Sequence, residues 1–286
     1  MDWTVAESID YWRQLNPDLP ISAGRDPETV SRWQPSPTFI AEWRRRIIRE
    51  GYFELTDVIP PEDLHVLVGA IDRVRAAGWL PVFAFLYDAF WETYWRVSPV
   101  LSLLLGDDYR QIPAFWAWHI DPVDTAQGWG PHRDRGFGHQ RPDRTPNAMT
   151  VWMALTDATP LNGCISVVPA HLDLTPINPG LTNGMQDARA LPAKAGTALC
   201  WGLGLLHWGG RSSDYASHPR VSMTFEFQAA DTPALEPFLL QPGEIPPFEK
   251  RLALVCMQLM AYNHRTHLPA ADMAIAEAIR YAGLPR

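Results

Sequence analysis

The sequence predicts a mainly β core flanked by α-helices, and three observations predict it. The N-terminal third carries helical periodicity. From Arg110 to about residue 230, short apolar runs alternate with turn residues, the texture of a sandwich or barrel. Beyond Pro246 the helical spacing returns. At 286 residues the chain fits one β-rich domain with added helices. We expect a helical part over about 1–109, the β core over about 110–230 and C-terminal helices over about 246–286.

Each element has its own signal. In Thr38 to Glu50, Phe39, Ile40, Trp43 and Ile47 recur at helical spacing, and the arginines at 44, 45, 46 and 49 read as a solvated helix face. Tyr52 to Ile59 reads as a strand closed by Pro60-Pro61. Glu62 to Ala77 then repeats Leu64, Leu67, Val68, Ile71 and Val74 on one face. Between Phe83 and Trp95 lies an aromatic-rich segment that serves either the core or a pocket wall. Strands are expected at Ile112 to Ile120, Ala148 to Thr156, Cys164 to Val168, Thr197 to Leu206 and Val221 to Gln228, with a turn at Asn162-Gly163. Two helices, Phe248 to Tyr262 and Ala270 to Tyr281, close the chain.

Composition narrows the function. A hydrophobic fraction of 47% with 20% charged residues is that of a soluble globular protein. The net charge of −8 argues against nucleic acid or an anionic membrane as the main partner and leaves a small molecule. Three cysteines without paired spacing indicate neither a disulfide framework nor a thiolate metal site, so a reducing compartment is expected. No apolar stretch is long enough to span a bilayer, and the first residues lack the pattern of a secretory leader; the expected location is the cytoplasm.

Three histidines stand two residues before an aspartate: His119/Asp121, His132/Asp134 and His171/Asp173. Composition alone makes such pairs common, so context decides. Only His132/Asp134 is followed by a strand-like run, a third histidine at His207 and a strand-borne Arg220. Two histidines and one carboxylate make the facial triad that holds Fe(II) with coordination positions left open. On extended chain a pair separated by one residue projects to one side, so His132 and Asp134 share an ion. His207 closes the apolar run Leu199 to Leu206, where its other reading is a histidine bonded to backbone. Arg220 and Ser222 share a strand face, and a guanidinium beside a hydroxyl suits a dicarboxylate; its other reading is an arginine paired with Glu226.

The segment Val151 to Pro160, then Asn162-Gly163-Cys164 and Val167 to His171, resembles the central signature of the phytanoyl-CoA dioxygenase (PhyH) family of Fe(II)/2-oxoglutarate-dependent oxygenases. The order agrees too: Gly130 to Asp134, this signature, Gly196-Thr197, His207 and Arg220, over roughly residues 50 to 230. The chain departs from the family at Pro169-Ala170-His171, which lacks the usual glycine and serine.

The resemblance implies a double-stranded β-helix core (jelly-roll, cupin-like). It implies Fe(II) on His132, Asp134 and His207, with 2-oxoglutarate held by Arg220 and Ser222. Trp152 matches a family tryptophan near the cosubstrate, a position equally consistent with plain core. The implied activity uses O2 and hydroxylates an unactivated C–H bond of a small molecule, releasing succinate and CO2. Desaturation and epoxidation are variants; halogenation is disfavoured because Asp134 keeps the carboxylate that halogenating relatives lack.

For the substrate, the loop Arg133 to Asn147 carries Arg133, Arg135, His139, Arg141 and Arg144. It either admits an anionic substrate, with Arg211 assisting, or is a solvated polar loop. His119 is a further candidate beside the pocket. The alternatives are a non-catalytic small-molecule-binding protein and a cupin-type isomerase or hydrolase of the same fold. Neither needs Arg220 with Ser222.

Overall fold

The computed structural model describes residues 1–22, 30–122, 128–173 and 185–284. Helix boundaries follow local chemistry. α1 (Ile9–Leu15) is capped by the Ser8 hydroxyl, which accepts from the Tyr11 N–H. α2 (Pro37–Glu50) starts at Ser36 in the same way and stops at Gly51, whose φ of 83° a glycine adopts without strain. α3 (Pro61–Ala76), α4 (Asp88–Trp95) and α5 (Ser98–Leu105) complete the N-terminal set; α6 (Phe248–Ala261), α7 (Asn263–Thr266) and α8 (Ala270–Gly283) form the C-terminal one.

The strands form two antiparallel sheets. The larger has the order β1 (Tyr52–Leu55), β7 (Ala198–Gly202), β4 (Ala148–Ala154), β9 (Arg220–Gln228) and β2 (Arg110–Ile120). The smaller has the order β3 (Trp129–His132), β8 (His207–Gly209), β5 (Ile165–Val167) and β6 (Arg189–Leu191). From β2 to β9 the chain passes from one sheet to the other at every step except β5 to β6, the topology of a double-stranded β-helix.

Period-two alternation divides the larger sheet. Met149, Val151, Met153, Ala198, Cys200, Val221, Met223 and Phe225 join the helices in one core. Trp152, Ala154, Leu199 and Trp201 turn the other way, toward Ile165 and Val167 of the smaller sheet. The aromatic segment belongs to the helical side. Phe85 packs on Phe115 at 4.6 Å and Tyr94 on Phe225 at 4.0 Å between ring centroids. It serves the core.

β9 is polar on a face that is nonetheless closed to solvent: Arg220, Ser222, Thr224, Glu226 and Gln228 are all buried. Buried polar groups need partners. A row of them marks an interior site rather than a solvent-facing strand.

Two local expectations change. The run Thr197 to Leu206 is not one strand: β7 ends at Gly202, the Leu205 N–H bonds back to the Gly202 carbonyl at 2.9 Å, and His207 opens β8 instead of closing β7. Gly202 and Gly204 permit the turn, since a Cβ on Gly204 would stand 3.1 Å from the Gly136 carbonyl. The strand after Tyr52 ends at Leu55, short of Ile59. The Asn162-Gly163 turn forms as expected: Gly163 has φ 84°, and a Cβ there would lie 2.2 Å from the Gly210 carbonyl oxygen.

Candidate metal centre

The register of β3 and β8 builds half of the site, because His132 and His207 are direct partners across that ladder. Their rings lie 4.3 Å apart between centroids. β3 stops at His132, so Asp134 arrives by a bend rather than by strand alternation. Its Oδ1 lies 3.6 Å from His132 Nε2 and 3.5 Å from His207 Nε2. One ligand atom from each of the three residues falls within 4.8 Å of the others.

Backbone and neighbouring side chains aim these atoms. His132 Nδ1 is 2.9 Å from the Gly130 carbonyl and His207 Nδ1 is 3.0 Å from the Leu205 carbonyl. A carbonyl only accepts, so each Nδ1 carries the hydrogen and each Nε2 keeps its lone pair for the centre. On Asp134, Oδ2 accepts from Thr150 Oγ1 at 2.6 Å and from Trp201 Nε1 at 2.9 Å, leaving Oδ1 to face the histidines.

Charge states follow. Burial works to raise the Asp134 carboxyl, but the neighbouring imidazoles of His207 and His132 and the hydrogen bonds from Thr150 and Trp201 outweigh it and hold the group well below the usual carboxylate range. Burial lowers the His207 pKa although Asp134 opposes it. An ionised carboxylate beside a neutral imidazole is the form that binds a cation.

A cavity of about 150 Å³ opens on the triad, walled by Trp118, Trp129, Trp152, Glu226 and Tyr262 and by Arg220. Arg220 is 3% exposed. Its Nη1 donates to Ser222 Oγ at 2.8 Å, its Nε lacks a partner, and among the described residues it makes no ion pair. Its guanidinium stands 5.9 Å from the Trp152 ring centroid, and burial lowers its pKa to about 10, so it stays cationic at neutral pH. An unpaired buried cation costs several kcal/mol, roughly what an anionic ligand would recover. Glu226, the alternative partner read from sequence, pairs with Arg135 at 2.9 Å instead.

The other candidates lie elsewhere. Arg133 pairs with Asp173, donates to the Gly204 carbonyl and lies over the Phe137 ring. Arg135 is held between Glu226 and Glu236. His139 meets the Arg135 carbonyl, Arg141 donates to the Pro146 carbonyl, and Arg144 sits in a turn with φ 67°. Arg211 is exposed and packs on Gly128. His119 contacts Arg75, Asp72 and Asp121, outside the metal cavity, while His171 meets the Arg49 carbonyl. Sequence reasoning passed over Thr150, Trp201, Trp129 and Tyr262. Thr150 stands two residues before Trp152 on the same strand and shares its face, a signal that was present.

Comparison with known proteins supplies a family match and a fold. The family model for phytanoyl-CoA dioxygenase (PhyH) matches residues 96–216, a stretch that includes all three triad residues and ends before Arg220. No curated protein matches the chain in sequence. Among solved structures, the non-heme alpha ketoglutarate dependent epimerase SnoN from nogalamycin biosynthesis is 18% identical with a TM-score of 0.51, covering 73% of this chain and 96% of its own. AviO1 from Streptomyces viridochromogenes Tue57 is 16% identical with a TM-score of 0.52, covering 71% and 99%. EctD from S. alaskensis, in its apoform, is 17% identical with a TM-score of 0.51, covering 82% and 97%. At these identities the likeness is one of fold.

Proposed function

We propose that this chain, whose residues 96–216 are a phytanoyl-CoA dioxygenase (PhyH) family domain, is an Fe(II)- and 2-oxoglutarate-dependent dioxygenase hydroxylating an unactivated C–H bond of a small molecule. One observation carries the reading: a His-Asp-His cluster with its ligand atoms already oriented shares a cavity with a buried arginine that has no acid partner among the described residues. Two imidazole nitrogens and one carboxylate oxygen suit a divalent iron, and three protein donors leave part of its coordination sphere open. The donor set fits.

When bound, Fe(II) and 2-oxoglutarate together supply the oxidant from O2, with succinate and CO2 as by-products. The chain supplies position. His132, Asp134 and His207 would hold the metal, and the carbonyls of Gly130 and Leu205, with Thr150 and Trp201, keep those ligands from turning away. Arg220 would grip the far carboxylate of 2-oxoglutarate with Ser222 beside it and Trp152 along its flank. Trp118, Trp129 and Tyr262 wall the cavity, exclude water and orient the substrate carbon. A reducing compartment, the cytoplasm, fits three cysteines that are free and buried. No helix among the described residues is long and apolar enough to cross a membrane.

The test is succinate formation from 2-oxoglutarate under Fe(II) and O2. His207→Ala and Asp134→Ala should abolish it. A protein that only binds small molecules would bind 2-oxoglutarate and make no succinate, which overturns the reading. With substrate, a product heavier by one oxygen atom marks oxygen insertion, and a new exchangeable hydroxyl hydrogen on it marks hydroxylation rather than epoxidation. Succinate formed with a product lighter by two hydrogen atoms, which leave with the second oxygen as water, replaces hydroxylation by desaturation or ring closure while keeping the cofactor assignment.

A further inference from the structure

A second cavity of about 860 Å³ adjoins the metal centre, a size ordinary for a small-molecule site. Trp118, Trp129, Arg220 and Tyr262 line both volumes, so a ligand in the larger one lies against the wall of the smaller. Its inner surface is aromatic and continuous. Trp116 stands 4.6 Å from Tyr262, Tyr262 5.4 Å from Trp129, and Trp129 6.2 Å from Trp118, centroid to centroid. Trp129 also lies 5.4 Å from the His132 ring, so a ligand ring packed on it lies beside the metal centre.

The rim differs in character. His264, Arg265 and His267, on and just after α7, face Arg75 of α3 and His119 of β2. The nearby acids are engaged: Asp72 lies 3.2 Å from His119 Nε2, and Asp121 accepts from Arg75 at 2.7 Å. Arg265 is not. Among the described residues its side chain has no carboxylate partner and no hydrogen-bond acceptor. Its guanidinium instead lies 4.5 Å from the centroid of Trp129. A cation–π contact of this kind holds the group across the entrance while its N–H donors stay available at the ring edge. Arg75 and Arg265 stand against Asp72 and Asp121 at this mouth, and among the described residues Arg265 is the one of these two arginines whose donors no acid occupies.

We infer that this cavity takes a planar, ring-bearing carboxylate, with its ring among Trp118, Trp129 and Tyr262 and its anionic group on Arg265. The arginine-rich loop at 133–147 is not the anion site in this arrangement, because Arg133 and Arg135 are bound to Asp173, Glu226 and Glu236. Holding the anion at the rim also keeps it away from Arg220 and so out of competition with 2-oxoglutarate. That the ring end would present the reacting C–H bond rests on the oxygenase reading above; the ligand class rests on the cavity alone.

Calorimetric titration of the metal-free protein with 2-naphthoate, 2-naphthamide and decanoate separates ring from charge. 2-Naphthoate should bind most tightly. Arg265→Gln, a substitution at an exposed position, should weaken 2-naphthoate about three- to fivefold, the scale of one rim-exposed charge contact, and leave 2-naphthamide and 2-oxoglutarate unchanged. Equal affinity for the acid and the amide, or a preference that survives Arg265→Gln, overturns the anion site. Decanoate binding as tightly as 2-naphthoate overturns the ring site, and binding by none of the three overturns both. Displacement of 2-naphthoate by 2-oxoglutarate overturns the placement. Succinate assays on the same preparation keep the readings apart: the naphthoate pattern without succinate supports this cavity and removes the oxygenase, and succinate without the pattern does the reverse.

Discussion

Thr150 and Trp201 do for Asp134 what two carbonyls do for the histidines: they occupy one oxygen so that the other is presented. Thr150→Val or Trp201→Phe should therefore weaken Fe(II) or a surrogate divalent metal by about 10–100-fold with the fold intact, read by metal titration. Arg220 makes a different prediction, since its burial without an acid is a stability cost. Arg220→Met should abolish 2-oxoglutarate binding while stabilising the ligand-free protein by about 1–3 kcal/mol in urea unfolding; a loss of stability would mean the guanidinium is already neutralised at rest. Glu226 supplies the pH dependence. Burial first, and the charge of Asp134 second, raise its carboxyl from 4.5 to about 7. A folded state that holds a proton more tightly than the unfolded chain loses ground as that proton leaves. The Glu226 contribution should thus fall as pH rises from 4.5 to about 7, against the gain that His207, lowered from 6.5 by burial, gives in part of the same window; the melting temperature of metal-free wild type relative to Glu226→Gln should therefore decline across it. Asp134, shifted downward, acts in the opposite sense and only below its ordinary value of 3.8, outside that window.

At the scale of elements, one buried ion pair ties three parts of the chain. Arg251 of α6 meets Asp88 of α4 at 2.7 Å with both side chains fully enclosed, and each also bonds Ser22. Asp88→Ala leaves a buried guanidinium uncompensated and should cost about 3–5 kcal/mol in denaturant unfolding, far more than removing any exposed pair such as Arg13 with Asp10. The elements also differ in how visible they were. Long strands such as β2, β4 and β9 announce themselves, because seven to eleven residues give alternation room to repeat. β5, β6 and β8 have three residues each and β3 has four, too few for any period, and these form the smaller sheet on which both histidines sit. His132, Asp134 and His207 were legible by type and order; the strand that positions His207 was not. Nor was the fate of Arg135, whose partner Glu226 is 91 positions away.

Across the whole molecule, the helices brace the larger sheet from outside while the inner faces of both sheets enclose the site, so ligand binding and folding are coupled. Fe(II) with 2-oxoglutarate should raise the stability of the wild-type chain by about 2.7 kcal/mol at a hundredfold excess over its dissociation constant, and Arg220→Met should lose the cosubstrate's part of that gain in a thermal melt. Composition and net charge describe the chain as a whole and say nothing of Arg265, which comes to the cavity mouth only when α7 is brought beside β2. The pairing of His132 with His207 has one more effect. A slip of the three-residue β8 by a single position would send the imidazole at 207 to the opposite side of its sheet. With the triad as the metal site, uptake of metal would report the ladder's alignment: molecules zipped up out of step should take up no iron, and the loaded fraction of a refolded sample should count those that aligned.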